Sequence, residues 1–120
     1  MANKRLTLID GAQITANPSS KQKISSNYAM AIQIVWSGLT GTASFGVGVS
    51  MNDVNYDDFP FVDKDGNRVT SIPISGASGS ATIEISSIIS DWAKFSVDGS
   101  GASAGTVSVE YIQIDNQDTY

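Results

Sequence analysis

The sequence predicts an all-β protein, a single antiparallel β-sandwich or jelly roll of about seven or eight short strands. Short stretches alternate apolar and polar residues, and clusters of Gly, Ser, Asn and Asp separate them at regular spacing. The chain shows no helical pattern long enough to connect parallel strands. Its 120 residues fit one core, so residues 1–120 are predicted to form one domain.

The first strands are predicted from alternating apolar and polar residues, and their ends from turn-forming residues. Arg5–Ile9 alternates as a strand does, and Asp10-Gly11 is predicted to stop it. A turn cluster at Asn17–Ser20 follows, and residues 23–26 are predicted to add a short edge strand. Tyr28–Trp36 combines β-branched and aromatic residues and is predicted to lie in mid-sheet.

The middle of the chain predicts a strand and a hairpin. Residues 37–41 are predicted to form a turn, after which residues 42–50 alternate strictly as a strand does. Phe59–Val62 and Arg68–Ile74 flank a polar Asp-Gly turn at residues 63–67, which is typical of a short hairpin.

The last third of the chain predicts three more strands and at most one helical turn. Residues 81–86 alternate as a strand, and Trp92–Val97 and Thr106–Ile114 have extended character. Ile85, Ile88, Ile89 and Trp92 have the spacing of one helix face, so at most one short helical turn is predicted near residues 86–92.

Charge is unevenly distributed. The formal net charge is −5, with 7 basic and 12 acidic residues. In residues 1–23, four cations against one Asp form a basic leader, which is predicted to be an N-terminal strand or arm whose cations either dock on an acidic partner or are simply solvated. Those cations are Lys4, Arg5, Lys21 and Lys23. The remaining acidic body repels phosphate backbones, so no nucleic-acid partner is expected.

Composition also argues against a membrane span and against catalysis. The longest apolar run, residues 29–36, is far shorter than the roughly 20 residues that cross a bilayer, so no membrane association is expected. The chain has no His and no Cys. A serine nucleophile would therefore lack its usual base, and no thiolate metal site is possible. We expect no enzymatic activity, no cofactor and no dedicated metal centre.

One polar constellation is a candidate ligand site for sugar or calcium. It consists of Asn52, Asp53, Asn55, Tyr56, Asp57, Asp58, Asp63 and Asp65. Amides and carboxylates bind sugar hydroxyls, and Tyr56 or Phe61 would stack on a sugar ring. Calcium also takes oxygen ligands, but Asp63-Lys64-Asp65-Gly66 lacks EF-hand spacing. Turn formation explains the same residues without any ligand. Gly46 and Gly48, on the outward phase of their strand, are candidates for the floor of a contact surface.

Several segments resemble small β-sandwich virion accessory proteins of tailed bacteriophages. The similar segments are an apolar strand ending in Trp and Gly at Ala31–Gly38, a Gly-Thr strand at Gly41–Val47, and a polar turn at Ser50–Tyr56. Residues 92–97 and 99–109 are similar to the closing strands of that family. The chain departs from the family pattern at Tyr56, where Trp is common, and at Val54, where Gly is common.

The resemblance implies a capsid decoration or head-fibre protein, with no catalytic residues to carry over. Its partners would be the major capsid protein or other virion subunits, and it would reside in the virion after assembly in the host cytoplasm. Exposed strand edges favour a homo-oligomer, with a trimer expected at a symmetry axis. The alternative hypothesis is a carbohydrate-binding, lectin-like adhesion module that recognises a glycan.

Overall fold

The computed structural model describes residues 4–24, 28–88 and 90–115. Within them the chain forms β1 (Lys4–Gln13), a 3-10 helix (Ile14–Ala16), β2 (Ser19–Lys23), β3 (Tyr28–Gly41), β4 (Ala43–Ser50), β5 (Asp57–Asp58), β6 (Phe61–Val62), β7 (Arg68–Val69), β8 (Ser71–Ile74), β9 (Gly79–Ile88), β10 (Trp92–Asp98) and β11 (Ala102–Asp115). Three of these strands span only two residues each, which leaves eight longer ones.

The strands form two antiparallel sheets packed as a sandwich, which confirms the predicted fold class. The six-stranded sheet has the order β1-β11-β3-β9-β6-β7. The five-stranded sheet has the order β2-β10-β4-β5, with β8 also paired to β4. Tyr28–Trp36 lies between β11 and β9, in mid-sheet as predicted.

The core lies between the sheets and is built from alternate residues of the long strands. Ile32 and Ile34 of β3 and Phe45 of β4 are fully buried. The rings of Phe95 on β10 and Tyr111 on β11 stack across the sandwich, with centroids 6.1 Å apart and an interplanar angle of 15°. This packing leaves the intervening residues of each strand on the two outer faces.

Several element boundaries predicted from turn residues and local patterns differ from those in the structure. The helical turn predicted near 86–92 is wrong where the chain is described, because residues 86–88 belong to β9 and Trp92 begins β10; residue 89 lies outside the described residues. Asp10-Gly11 does not end β1, because register shifts between Thr7 and Ala12 absorb the extra residues. Residues 37–41 continue β3 rather than forming a turn.

The end of the sandwich where β4 begins depends on glycine. A β-carbon on Gly99 would overlap the backbone carbonyl of Ile14, and one on Gly101 would lie 2.9 Å from the carbonyl oxygen of Thr42. Gly79 lies against the indole of Trp36, where a β-carbon would lie 2.7 Å from Cζ2. Backbones at this end therefore approach so closely that no side chain fits between them.

The basic leader supplies the outer strand of both sheets. β1 lies at one edge of the six-stranded sheet, and β2 lies at one edge of the five-stranded sheet. The 3-10 helix connects them, and the two strands contact each other. In the described part of the leader, residues 4–23, the chain thus belongs to the sandwich.

Candidate functional site

The polar loop, residues 51–56, follows β4 and is held by two side chains. The buried Ser50 hydroxyl accepts hydrogen bonds from the backbone N–H groups of Asn52 and Asp53, at 3.2 and 2.9 Å. Asn52 Oδ1 accepts from the N–H groups of Val54 and Asn55, at 2.9 and 3.0 Å, and from the Ser50 hydroxyl. Side chains thus replace the strand partners that these backbone groups lack.

Asp53 connects the loop to the sheet. Its Oδ1 accepts a hydrogen bond of 2.6 Å from the Tyr56 hydroxyl and one of 3.0 Å from Lys21 Nζ on β2. The hydrogen bond from Tyr56, with that from Lys21, holds the pKa of Asp53 below its ordinary value. Burial, followed by the hydrogen bond and the charge of Asp53, raises the pKa of Tyr56 to about 12. At neutral pH the tyrosine is therefore a fixed hydrogen-bond donor.

Beside the loop, the outer face of the five-stranded sheet is concave. We call this the outer cleft, a space of about 620 Å³. It is lined by Asn17, Ser19, Ser44, Gly46, Val47, Gly48, Tyr56, Asp57, Asp58, Thr70, Ser71, Lys94, Ser96, Val97 and Asp98. Outward residues of β4 and β10 form its floor, because the alternate residues of both strands point into the core.

The structure divides the predicted ligand residues between two places. Asn52, Asp53 and Asn55 lie in the polar loop, and Tyr56, Asp57 and Asp58 line the outer cleft. Asp63 and Asp65 lie in the β6–β7 turn and line a different cleft, together with Trp36 and residues 78–83.

Two ligand features expected at this constellation are not available in the structure. Phe61 is 2% exposed, so it belongs to the core and cannot stack on a sugar. In residues 4–24, 28–88 and 90–115, no group of three or more acidic side chains could hold a metal ion. Asp63 Oδ1 instead accepts from the N–H groups of Asp65 and Asn67, at 2.9 Å each, so it shapes the turn.

The predicted docking cations occupy both sheet edges. Lys4 begins β1, and the exposed Arg5 donates to Glu110 of β11, with Nη2 and Oε1 2.7 Å apart. Lys21 bonds to Asp53, whereas Lys23 is an exposed residue of β2. The four residues are therefore divided between two edge strands, and Arg5 and Lys21 are already paired with carboxylates of this chain.

The pairing of β2 shows which of its backbone groups face outward. At its two ends, Val97 N–H donates to Pro18 C=O, and Ile24 N–H donates to Asp91 C=O. In an antiparallel ladder, residues alternate between bonding to the neighbour and pointing away from it. The outward-pointing N–H and C=O groups on this edge are therefore those of Ser19, Lys21 and Lys23.

Sequence reasoning missed several residues of this site. Lys94, Ser96 and Asp98 alternate with the apolar residues of β10, and that pattern already places them on the outer face. Lys94 lies opposite Gly48 in the sheet, with Nζ 5.8 Å from the centre of the Tyr56 ring. The polar loop also exposes two apolar side chains, Met51 at 70% and Val54 at 76%.

No protein-family model matches this sequence, and no curated protein matches it. Among solved structures the chain is similar to the SPBc2 prophage-derived protein YomS, at 10% identity and a TM-score of 0.64, over 94% of each chain. It is also similar to a chain of the infectious bursal disease virus Gx strain, at 11% identity and a TM-score of 0.52, over 99% of this chain and 34% of that one.

A third similar structure is that of the Bacillus endospore appendages that form disulfide-linked pili. The identity is 14% and the TM-score 0.51, over 95% of this chain and 87% of that one. At such identities these likenesses establish a shared β-sandwich fold.

No helix in the described parts of the chain has the length and apolar character needed to cross a bilayer.

Proposed function

We propose that this protein is a non-enzymatic structural component of a virion, a capsid decoration or head-fibre protein that docks on the capsid. The observation that carries the proposal is the docking side formed by β1 and β2, where the outer strands of both sheets come from the basic leader. A likeness in fold to a prophage-derived protein, over 94% of each chain, supports the same assignment.

Docking would use the outer edge of β2, which pairs with no other strand in the described part of the chain. The outward N–H and C=O groups of Ser19, Lys21 and Lys23 can pair with a strand of another subunit. Lysines on an edge strand oppose pairing with an identical strand, because like charges would face each other. The edge therefore suits an acidic strand of a different chain, such as the major capsid protein.

Cosedimentation of the purified protein with capsids of its own virus, assembled without it, tests the proposal. We expect saturable binding that weakens as salt is added, because the attraction involves exposed charges. Light scattering on the free protein would test for the homo-oligomer, with a trimer as the expected form. A monomer that fails to bind such capsids would refute the proposal.

A pair of charge reversals separates the edge from general electrostatics. Lys23→Glu places a carboxylate on the β2 edge, whereas Lys64→Glu makes the same change in the exposed β6–β7 turn. We expect Lys23→Glu to weaken capsid binding by about tenfold or more and Lys64→Glu to leave it nearly unchanged. Equal effects of the two changes would show that β2 is not the docking edge.

A further inference from the structure

We propose that the outer cleft is a binding site for a neutral oligosaccharide. The cleft lies on the face of the five-stranded sheet and the proposed docking groups lie along its β2 edge, so the two proposals concern different surfaces that share Ser19. The outer cleft also differs from the glycan site expected from the sequence, since Asp63, Asp65 and Phe61 have no part in it.

The shape of the cleft is set by two glycines on β4. At Gly46 a β-carbon would lie 3.1 Å from the carbonyl oxygen of Thr70, and at Gly48 one would lie 3.7 Å from Cβ and Cδ2 of Tyr56. Because Gly46 and Gly48 have no side chains, Thr70 and Tyr56 can pack directly against β4, and the surface between them is recessed. The resulting volume of about 620 Å³ falls within the range typical of small-ligand sites.

The lining offers the mixed donors and acceptors that sugar hydroxyls require. Ser44 and Ser96 contribute floor hydroxyls from β4 and β10, and Asp57 and Asp58 contribute carboxylate acceptors at one wall. At the other end, Asn17 Oδ1 accepts from Gly99 N–H at 2.8 Å, which leaves its NH₂ group as a donor. A sugar hydroxyl both donates and accepts, so such a lining can satisfy it on both counts.

One aromatic ring at the wall is held in place before any ligand arrives. The Tyr56 hydroxyl is bonded to Asp53, and its ring packs against Gly48. Because the ring is already ordered, contact with the apolar face of a sugar would cost little additional conformational entropy. Tyr56 is therefore assigned as the aromatic contact of the bound sugar.

Charge selects the class of ligand. Among the lining residues, the carboxylates of Asp57, Asp58 and Asp98 outnumber the single ammonium group of Lys94. Phosphates, sulfated glycans and acidic sugars would be repelled from such a site. A neutral, hydroxyl-rich ligand pays no such cost, and it is the occupant to which the proposal commits.

The test uses an array of neutral and acidic oligosaccharides, followed by calorimetry with the neutral oligosaccharide that binds best. Ser96→Tyr would fill the floor, and the matched Thr82→Tyr adds the same ring to the exposed outer face of the six-stranded sheet. We expect Ser96→Tyr and Tyr56→Ala each to weaken binding by at least about tenfold, and Thr82→Tyr to change it by less than about twofold.

Thermal unfolding of each variant shows whether a loss of binding reflects a loss of fold. If Ser96→Tyr is unstable, Asp58→Asn provides a variant that keeps the shape of the wall and removes one acceptor charge. Failure of the array to bind any neutral glycan would overturn the proposal. So would binding that survives both Ser96→Tyr and Tyr56→Ala, or a preference for acidic glycans. Capsid cosedimentation is scored separately, so either proposal can fail alone.

Discussion

The two ends of β4 are closed in opposite ways. Where the strand begins, glycines remove side chains so that Gly99 and Gly101 contact neighbouring carbonyl groups directly. Where it ends, the side chains of Ser50 and Asn52 act as substitute partners for four backbone N–H groups. The glycine end tolerates no added side-chain atom, whereas the polar end depends only on the side-chain oxygen atoms of Ser50 and Asn52. The other residues of the polar end can therefore be substituted without loss of these hydrogen bonds.

The largest effect is expected at the glycine end. In Gly99→Ala the new methyl group would overlap the carbonyl of Ile14, so the backbone must shift. We expect a loss of about 3 kcal/mol or more in the free energy of unfolding, measured by urea denaturation. Gly66→Ala is the control, because Gly66 has φ +84° and open space around it, and should cost only about 1–2 kcal/mol. A smaller loss in Gly99→Ala than in the control would contradict close packing at this end.

An intermediate effect is expected at the polar end. Ser50→Ala removes the acceptor for two N–H groups beside a buried site, at a cost of about 2 kcal/mol. Ser78→Ala, at an exposed serine of the glycine end, should stay within about 0.5 kcal/mol of the wild type. Hydrogen exchange should show faster exchange of the Asn52 and Asp53 amides in Ser50→Ala. Unchanged exchange would mean that the Ser50 hydroxyl does not hold the loop.

The smallest expected effect is on the titration of the Tyr56 hydroxyl. Protonated Tyr56, with a pKa of about 12 against an ordinary 10.0, adds stability that is fully present below pH 10 and is lost as the pH rises toward 12. In Asp53→Asn this pKa should fall toward 10 but remain above it, because burial persists. Carbon NMR of the tyrosine rings measures the shift, and Asp58→Asn serves as the control. Equal titration in both variants would show that Asp53 does not hold the Tyr56 proton.

Asp53 makes the opposite contribution at low pH. Its pKa lies below the ordinary value of 3.8, so its contribution is present above that pH and is lost as the pH falls through the lowered value. Tyr56→Phe should reduce this acid dependence by removing the main cause of the shift.

The sequence predicted elements whose signal is local. The strand predicted at residues 42–50 matches β4 to within one residue at its start, because strict alternation is typical of a strand with one buried face. The β6–β7 hairpin was predicted around its Asp-Gly turn, but its strands are shorter than predicted, because Ser71–Ile74 pairs with β4 in the other sheet instead. The isoleucines of residues 85–89 satisfied a helix pattern, but pairing with β3 extends β9 to Ile88.

The site was predicted only in part, because its halves meet through long-range pairing. Sequence placed residues 52–58 and 63–67 in neighbouring polar turns, yet the intervening Phe61 is drawn into the core and joins the other sheet. Lys94 and Ser96 reach the cleft only because β10 pairs with β4. Which strands become neighbours depends on total burial, and no local pattern encodes it.

β11, spanning residues 102–115, sits between β1 and β3. The edges of the first and third strands that pair with β11 are therefore unpaired until a segment about a hundred residues downstream of β1, and about seventy downstream of β3, inserts between them. Such distant closure makes folding slow, on the order of milliseconds to seconds. In a ribosome-bound chain truncated before Ala102, the edges of β1 and β3 that pair with β11 would have no partner strand. We therefore expect chaperones to bind the nascent chain most strongly just before β11 emerges.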